Sequence, residues 1–336
     1  MSKFHNLEQA RYPLGSATSP PVAPPGDSQT LKKLATLAVS TAGSSPHLAE
    51  QILFLSRTYK ELKVEYDQNA RSIWCYLRPN RSTCFTPSMI RELVTLHRAI
   101  QGLVAAQPPG EDTLIQYYIQ RSSVPGIYNS GGDLGFLIDR ISHGDREAIR
   151  HYAYGCIDAV FQIATGFNSN IISACLLEGD ALGGGLEGAI CCNYIIAERD
   201  VQLGLPEILF NCFPGMGAYS MLSRRIGVAK TERMILNGKL YTAEEMHEIG
   251  VVDLVVERGA GEQELRNYIG DQRKYKARCG IYRARQRINP LTLEELRDVT
   301  DIWVETAMSL THADLRRMNH LKIAQARRLR RNSLAR

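Results

Sequence analysis

The sequence predicts an α/β layered fold, and three observations carry that prediction. Short apolar runs with strand character alternate with longer segments whose apolar residues recur at helical spacing. Two glycine-rich stretches each stand between a strand and a helix. After Gly259 the pattern turns wholly helical and more charged.

Taken in order, residues 1–48 offer little to bury. Pro20, Pro21, Pro24 and Pro25 interrupt regular structure among Ser, Thr and Gly, with one short helical pattern at 31–39, so this stretch reads as a disordered or weakly structured tail. Order is expected to begin near Leu48. Residues 61–66 and 72–77 read as a strand pair about the turn residues Asp67, Gln68 and Asn69. Met89, Ile90, Leu93, Val94, His97 and Ile100 then recur at helical spacing behind the start signal Thr86-Pro87-Ser88. His97 lies on that apolar stripe and is read as a core residue. Residues 114–119 and 171–177 read as buried strands with a helix at 148–165 between them, and 194–197 as a third strand. Residues 293–308 form the clearest C-terminal helix. The expected layout is a tail over 1–48, an α/β core over 49–265 and a helical region over 266–336, without internal sequence repeats.

Composition narrows the function. The 336 residues are 44% apolar and 22% charged, as in an ordinary globular protein. Forty basic residues against 35 acidic ones leave a net charge of +5, too balanced to point to nucleic acid. The eight cysteines show no CxxC or Cys/His ligand spacing, so no metal is expected, and most sit in apolar runs as buried free thiols do. A reducing cytoplasm fits that usage. No run approaches the roughly 18 apolar residues of a membrane span, and residues 1–15 lack the apolar segment of a signal peptide.

The chemistry concentrates in residues 178–217, EGDALGGGLEGAICCNYIIAERDVQLGLPEILFNCFPGMG. Gly183, Gly184 and Gly185 precede a short helix. Without Cβ atoms the backbone there can approach a ligand and turn its N–H groups, aided by the helix dipole, towards an anionic oxygen. The stretch also satisfies GxGxxG, the dinucleotide fingerprint, but four residues separate the strand from the glycines, the next strand ends too soon at Glu198, and Glu207 follows Pro206 in a turn. Gly131-Gly132-Asp133 forms a second strand–glycine–helix junction. Read alone, each glycine group is a tight turn; together they can each supply one N–H to a single oxygen, the architecture of an oxyanion hole. Glu187 lies among Leu186, Gly188, Ala189 and Ile190, and Glu207 among Pro206, Ile208, Leu209 and Phe210. A carboxyl group in apolar surroundings has a raised pKa and can exchange protons near neutrality. Helix capping is the alternative for either glutamate by itself.

The combination of GGGLE, a PE glutamate twenty positions after the first, FPGMG and the earlier GGD closely resembles the enoyl-CoA hydratase/isomerase (crotonase) superfamily over about residues 59–330. That resemblance implies a spiral of ββα units with C-terminal helices that build homotrimers or dimers of trimers. It places the oxyanion-hole amides at Gly132 and Gly184, flanked by Gly131, Gly183 and Gly185, and the acid–base pair at Glu187 and Glu207. More narrowly, NSGGDLGFLIDRI, ALGGGLEGA, GLPEILFNCFPGMGAYS and VTDIWVETAM resemble the diffusible signal factor synthases. These bacterial enzymes dehydrate a 3-hydroxyacyl-carrier-protein to a cis-2-enoyl product and then hydrolyse the thioester. Phe85, Met216 and Trp303 fall where that subgroup lines its acyl pocket, with core packing as the alternative for each. Hydratases commonly carry a lysine shortly after the first glycine segment, where it meets cofactor phosphates. Here that stretch is Leu134-Gly135-Phe136-Leu137, without a cation until Arg140, which suits a protein-borne phosphopantetheine better than CoA.

Three expectations follow: a dehydratase and thioesterase acting on acyl carrier protein, a plain enoyl-CoA hydratase or isomerase, or a non-catalytic fold that binds a regulatory protein. None needs a cofactor beyond the carrier-borne or CoA-borne substrate. Lys322, Arg327, Arg328, Arg330, Arg331 and Arg336 end the chain without an acidic residue. They read as a solvated end, or as a docking patch for an acidic carrier. No aromatic stacking platform accompanies them for nucleic acid.

Overall fold

The computed structural model describes residues 57–80, 82–107 and 113–334, with side chains as far as Arg327. The expected tail and most of the terminal arginine side chains lie outside the described residues. An antiparallel pair, β1 (Leu62–Asp67) and β2 (Ser72–Leu77), opens the fold. Helix α1 (Pro87–Ala105) starts at Thr86, whose hydroxyl accepts the Met89 N–H, and Pro87 occupies a first-turn position where a missing N–H costs nothing. Its buried face holds Met89, Ile90, Leu93, Leu96, His97 and Ile100. His97 is fully enclosed with Nε2 3.1 Å from the Tyr118 hydroxyl, and burial lowers its pKa to about 3. It is a neutral core residue.

Three ββα turns of a spiral follow. The first runs through β3 (Tyr117–Ser122), β4 (Gly126–Asn129), α2 (Leu134–Ser142) and α3 (Arg146–Ala164). The second runs through β5 (Ile172–Leu177), β6 (Gly179–Leu182) and α4 (Gly184–Ile190). The third comprises β7 (Tyr194–Glu198), β8 (Gln202–Gly204), a 3₁₀ turn (Pro206–Phe210), α5 (Ala218–Ile226) and α6 (Val228–Asn237). β9 (Leu240–Thr242), α7 (Ala243–Ile249) and β10 (Leu254–Val256) complete the sheets. The first strand of every turn joins a sheet of order β1-β2-β3-β5-β7-β10, and the second joins a sheet of order β4-β6-β8-β9. β3, β5 and β7 are parallel neighbours, as are β4, β6 and β8. The repeat thus exists in the backbone although no repeat is visible in the sequence.

The helical region comprises α8 (Gly261–Gly270), α9 (Tyr275–Ile288), α10 (Leu293–Met308) and α11 (His312–Leu334). α10 packs on α3, and α11 packs on α2 and on the 3₁₀ turn. Among the described residues no helix is long and apolar enough to cross a membrane.

Two strands differ from expectation. The strand expected at 114–119 is Tyr117–Ser122, because pairing with Ser72–Leu77 sets its limits while Ile115 is buried in the preceding connection. Its polar end is satisfied by Arg121, which bonds both Glu178 and Glu262. Residues 179–182, read as a gap before the glycines, form β6, buried throughout and paired with β4 and β8. In the β4–β6 ladder Gly126 faces Gly179 and Ile127 faces Asp180, but Asn129 faces Ala181, so Tyr128 is an extra residue that bulges β4.

Candidate active site

The parallel strands β4, β6 and β8 end side by side, and each chain leaves its strand into a functional segment. β4 leads to Gly131-Gly132-Asp133, β6 to Gly183-Gly184, and β8 to Pro206-Glu207. Equivalent corners of three successive turns therefore converge at the carboxyl edge of one sheet, a location where open α/β sheets place their ligands. Gly183 has φ +53° and donates its N–H to Gly204 O at 2.8 Å, and a Cβ there would stand 2.5 Å from Glu207 Oε1. A Cβ on Gly184 would stand 3.1 Å from Gly132 N and 2.5 Å from Met216 Sδ. Only glycine permits this approach of the two backbone segments.

Glu187 lies in the first turn of α4 and is 1% exposed. Its Oε1 accepts the N–H groups of Met216 at 2.7 Å and Ala218 at 3.0 Å. The FPGMG stretch thereby gains a function: Gly217, at φ +96°, turns the chain so that both amides meet one oxygen. Burial raises the Glu187 pKa to about 7 against the downward pull of those two amides. Glu207 is a half-buried residue whose Oε2 is shielded from solvent and lacks any hydrogen-bond partner. Burial, and then the charge of Glu187, raise its pKa well above the ordinary carboxylate value. Of the pair, Glu187 is therefore the more readily ionised member and Glu207 the one that holds its proton to higher pH.

Gly131, Gly132, Gly183, Gly184, Glu187, Glu207, Met216 and Trp303 all line one cavity of about 60 Å³. Its wall is otherwise mostly apolar, from Leu134, Leu137 and Ile141 of α2 to Ala307 and Leu310 beside Trp303. Trp303 packs on Gly215, where a Cβ would come 2.5 Å from the indole ring. Two expected pocket residues are placed elsewhere. The Phe85 side chain is 1% exposed and packs behind the wall against Gly188, while its backbone bridges Gly132. Gly185 lies against the Asn129 carbonyl, where a Cβ would overlap it, so it spaces α4 from β4 and is absent from the lining.

Sequence reading missed the part played by α11. Met318, Leu321 and Gln325 close the cavity, and Gln325 Nε2 donates to Ser130 O at 2.9 Å. Lys322 is exposed beside them, with Nζ 3.9 Å from where a Gly135 Cβ would lie. Tyr152 of α3 and the buried Cys156 and Cys212 also line the site. Their only sequence signal was membership of apolar helical faces. With β6 in place the glycines do open directly off a strand, so that objection to a dinucleotide site falls. The other two stand: α4 is only seven residues long, and Glu207 lies at Gly183 within the cavity.

Paired glutamates thus stand at the strand ends of a ββα spiral, and comparison with known proteins supplies relatives. The enoyl-CoA hydratase/isomerase family model matches residues 117–271. The matched segment is under half of this chain. A curated relative, the peroxisomal fatty acid beta-oxidation multifunctional protein AIM1 of Arabidopsis thaliana, is 45% identical over 134 residues, 40% of this chain and 18% of that longer protein. The chain thus spans under a fifth of the length of such relatives. Among solved structures, enoyl-CoA hydratase from Bacillus halodurans superposes with a TM-score of 0.64 at 22% identity, over 78% of this chain and all of the other. Pseudomonas aeruginosa DspI superposes with a TM-score of 0.58 at 24% identity, over 73% and 96%. At these identities both establish a shared fold.

Proposed function

We propose that this protein dehydrates a 3-hydroxyacyl thioester carried on acyl carrier protein to the cis-2-enoyl thioester, then hydrolyses it to a free fatty-acid signal of the quorum-sensing type. The observation that carries the proposal is the pair Glu187 and Glu207 in one apolar cavity beside the Gly132 and Gly184 backbone, with Glu187 the more readily ionised of the two. The thioester oxygen accepts the Gly132 and Gly184 N–H groups, which stabilise the enolate. Ionised Glu187 takes the C2 proton, and protonated Glu207 gives its proton to the 3-hydroxyl, which leaves as water. Glu207 is then ionised and Glu187 protonated. In the second half-reaction Glu207 removes a proton from water as it attacks the thioester carbon, and Glu187 returns its proton to the departing thiol. Both groups end as they began.

The narrower resemblance to signal factor synthases supports the carrier-protein substrate, as do Lys322 and Arg327, exposed on the helix α11 that closes the cavity. One observation favours a second reading. Lys322 brings a cation to the start of α2, next to the segment that lacks one in sequence, so a CoA ester is the alternative substrate. Free thiols throughout the described cysteines suit a reducing cytoplasm. Exposed Ile281, Ile288 and Ile302 on α9 and α10 suit burial in a homotrimer or dimer of trimers. A regulatory protein could share those faces.

The deciding experiment incubates the protein with 3-hydroxyacyl-carrier-protein and with 3-hydroxyacyl-CoA, and follows products by mass spectrometry. Released cis-2-enoic acid from the carrier substrate supports the proposal. Reversible hydration of the CoA ester alone selects the second reading, and no turnover of either selects a non-catalytic binding role. Glu187→Gln and Glu207→Gln should each lower turnover by about 10²-fold or more; near-wild-type rates in both would sink the mechanism.

A further inference from the structure

A glycine used as an oxyanion donor has a liability: its backbone is the freest of any residue, so something else must fix the direction of its N–H. At Gly132 the means is visible. In a trans peptide the carbonyl of one residue and the N–H of the next point in opposite directions. Gly131 O accepts the Phe85 N–H at 2.8 Å, which turns the Gly132 N–H away from Phe85. Gly184 lies on the other side, close enough that its Cβ would stand 3.1 Å from Gly132 N.

One hydroxyl controls both peptide planes that meet at Gly132. Tyr152 Oη donates to Phe85 O at 2.6 Å and so holds the residue whose N–H grips Gly131. The same oxygen accepts the Asp133 N–H at 3.2 Å, which pins the peptide on the far side of Gly132. A Cβ on Gly132 would lie 3.4 Å from that oxygen, so the hydroxyl is packed against the turn itself. α3 holds the ring in place, buried between Ile149 and Cys156 on the helix's inner face and 5.3 Å from the Phe136 ring. Burial raises the phenol well above its ordinary pKa, which keeps the donor proton in place at all working pH values.

We propose that Tyr152 is a positioning residue for the reaction: its hydroxyl, through Phe85 and Asp133, aims the Gly132 N–H at the thioester oxygen. The inference rests on the oxyanion role proposed for Gly132, and it assigns to Phe85 a backbone task in place of a pocket one.

The test combines kinetics with the carbonyl stretching band of a bound, unreactive saturated acyl-pantetheine thioester, measured by difference infrared spectroscopy. Tyr152→Phe should lower kcat by about 10- to 100-fold with KM nearly unchanged, the effect of a misaimed group. The same variant should shift the bound carbonyl band back towards its position in water. Should Tyr152→Phe not fold, 3-fluorotyrosine at position 152, a weaker acceptor in nearly the same shape, should reduce kcat several-fold at unchanged KM. Wild-type kcat and an unshifted band in the position-152 variant would overturn the inference while leaving the proposed function intact. A band that shifts in a protein that turns over no thioester would uphold the positioning role and overturn the function. A wild-type protein that does not polarise the carbonyl at all would overturn both.

Discussion

Glu187 and Glu207 share one cavity but differ in what surrounds their oxygens. Two backbone amides favour the ionised form of Glu187, whereas Glu207 has an orphan oxygen and a negative neighbour. The rate of dehydration should therefore rise as pH passes through about 7, as Glu187 ionises, and fall at higher pH as Glu207 loses its proton. A pH–kcat profile checks this, read as two apparent values of a coupled pair. A protein that is fastest at pH 5 would contradict it. The same burial acts on stability. Because the folded pKa of Glu207 is raised, its contribution favours the folded state below the unfolded value, and that contribution is lost as pH rises towards the folded one. Glu207→Gln should thus have a higher Tm than the native protein at pH 8 and a similar Tm at pH 4, measured by calorimetry. That Glu187, Glu207, Gly183 and Gly184 lie together was legible because two coils of the spiral bring them there within residues 178–217, while Gly131 and Gly132 come from the coil before. Phe85 and Gly185 were assigned to the pocket because a motif gives position along the chain and leaves undetermined which face of the wall a residue meets.

At the scale of elements, the helices of the C-terminal region finish what the strand ends begin. Side chains of α10 and α11 bound a cavity of about 60 Å³ and so set the room left for an acyl chain. Trp303 is the largest of these. Trp303→Ala should cost about 3–5 kcal/mol of stability, read from urea unfolding, and should shift turnover towards longer acyl chains. Unaltered chain-length preference would remove Trp303 from the acyl wall. These helices form because their caps and apolar stripes are local, as at Thr292, whose hydroxyl accepts the Glu295 N–H. Their presence was therefore readable. Their closure of the site was not, since Gln325 meets Ser130 across 195 residues of chain. β6 escaped for the opposite reason: at four residues, including a polar Asp180, it is too short to show a period.

For the molecule as a whole, the nearly balanced composition conceals an uneven margin. Lys322 and Arg327 are exposed on α11, the helix whose Met318, Leu321 and Gln325 line the cavity, and under the proposed function they would face an acidic carrier. Charges at the rim of an interface act mainly on association rate and its salt dependence. Lys322→Ala with Arg327→Ala should slow carrier-protein association at low salt and flatten its decline as salt is added, while turnover of a short pantetheine thioester stays unchanged. Surface-plasmon kinetics at several ionic strengths would show this, and identical salt slopes would exclude the patch.

The bulge at Tyr128 works as a vernier between two strands. Counting on from the pairing of Asn129 with Ala181, Gly132 comes level with Gly184; were the ladder to run on unbulged from Ile127 and Asp180, Gly131 would take that place. One inserted residue thus sets the phase between consecutive coils of the spiral, and with it the spacing of the two amides. Loop changes elsewhere can leave that phase untouched. A ladder that instead paired Tyr128 with Ala181 would put the coils out of step, with every side chain of the pair still present.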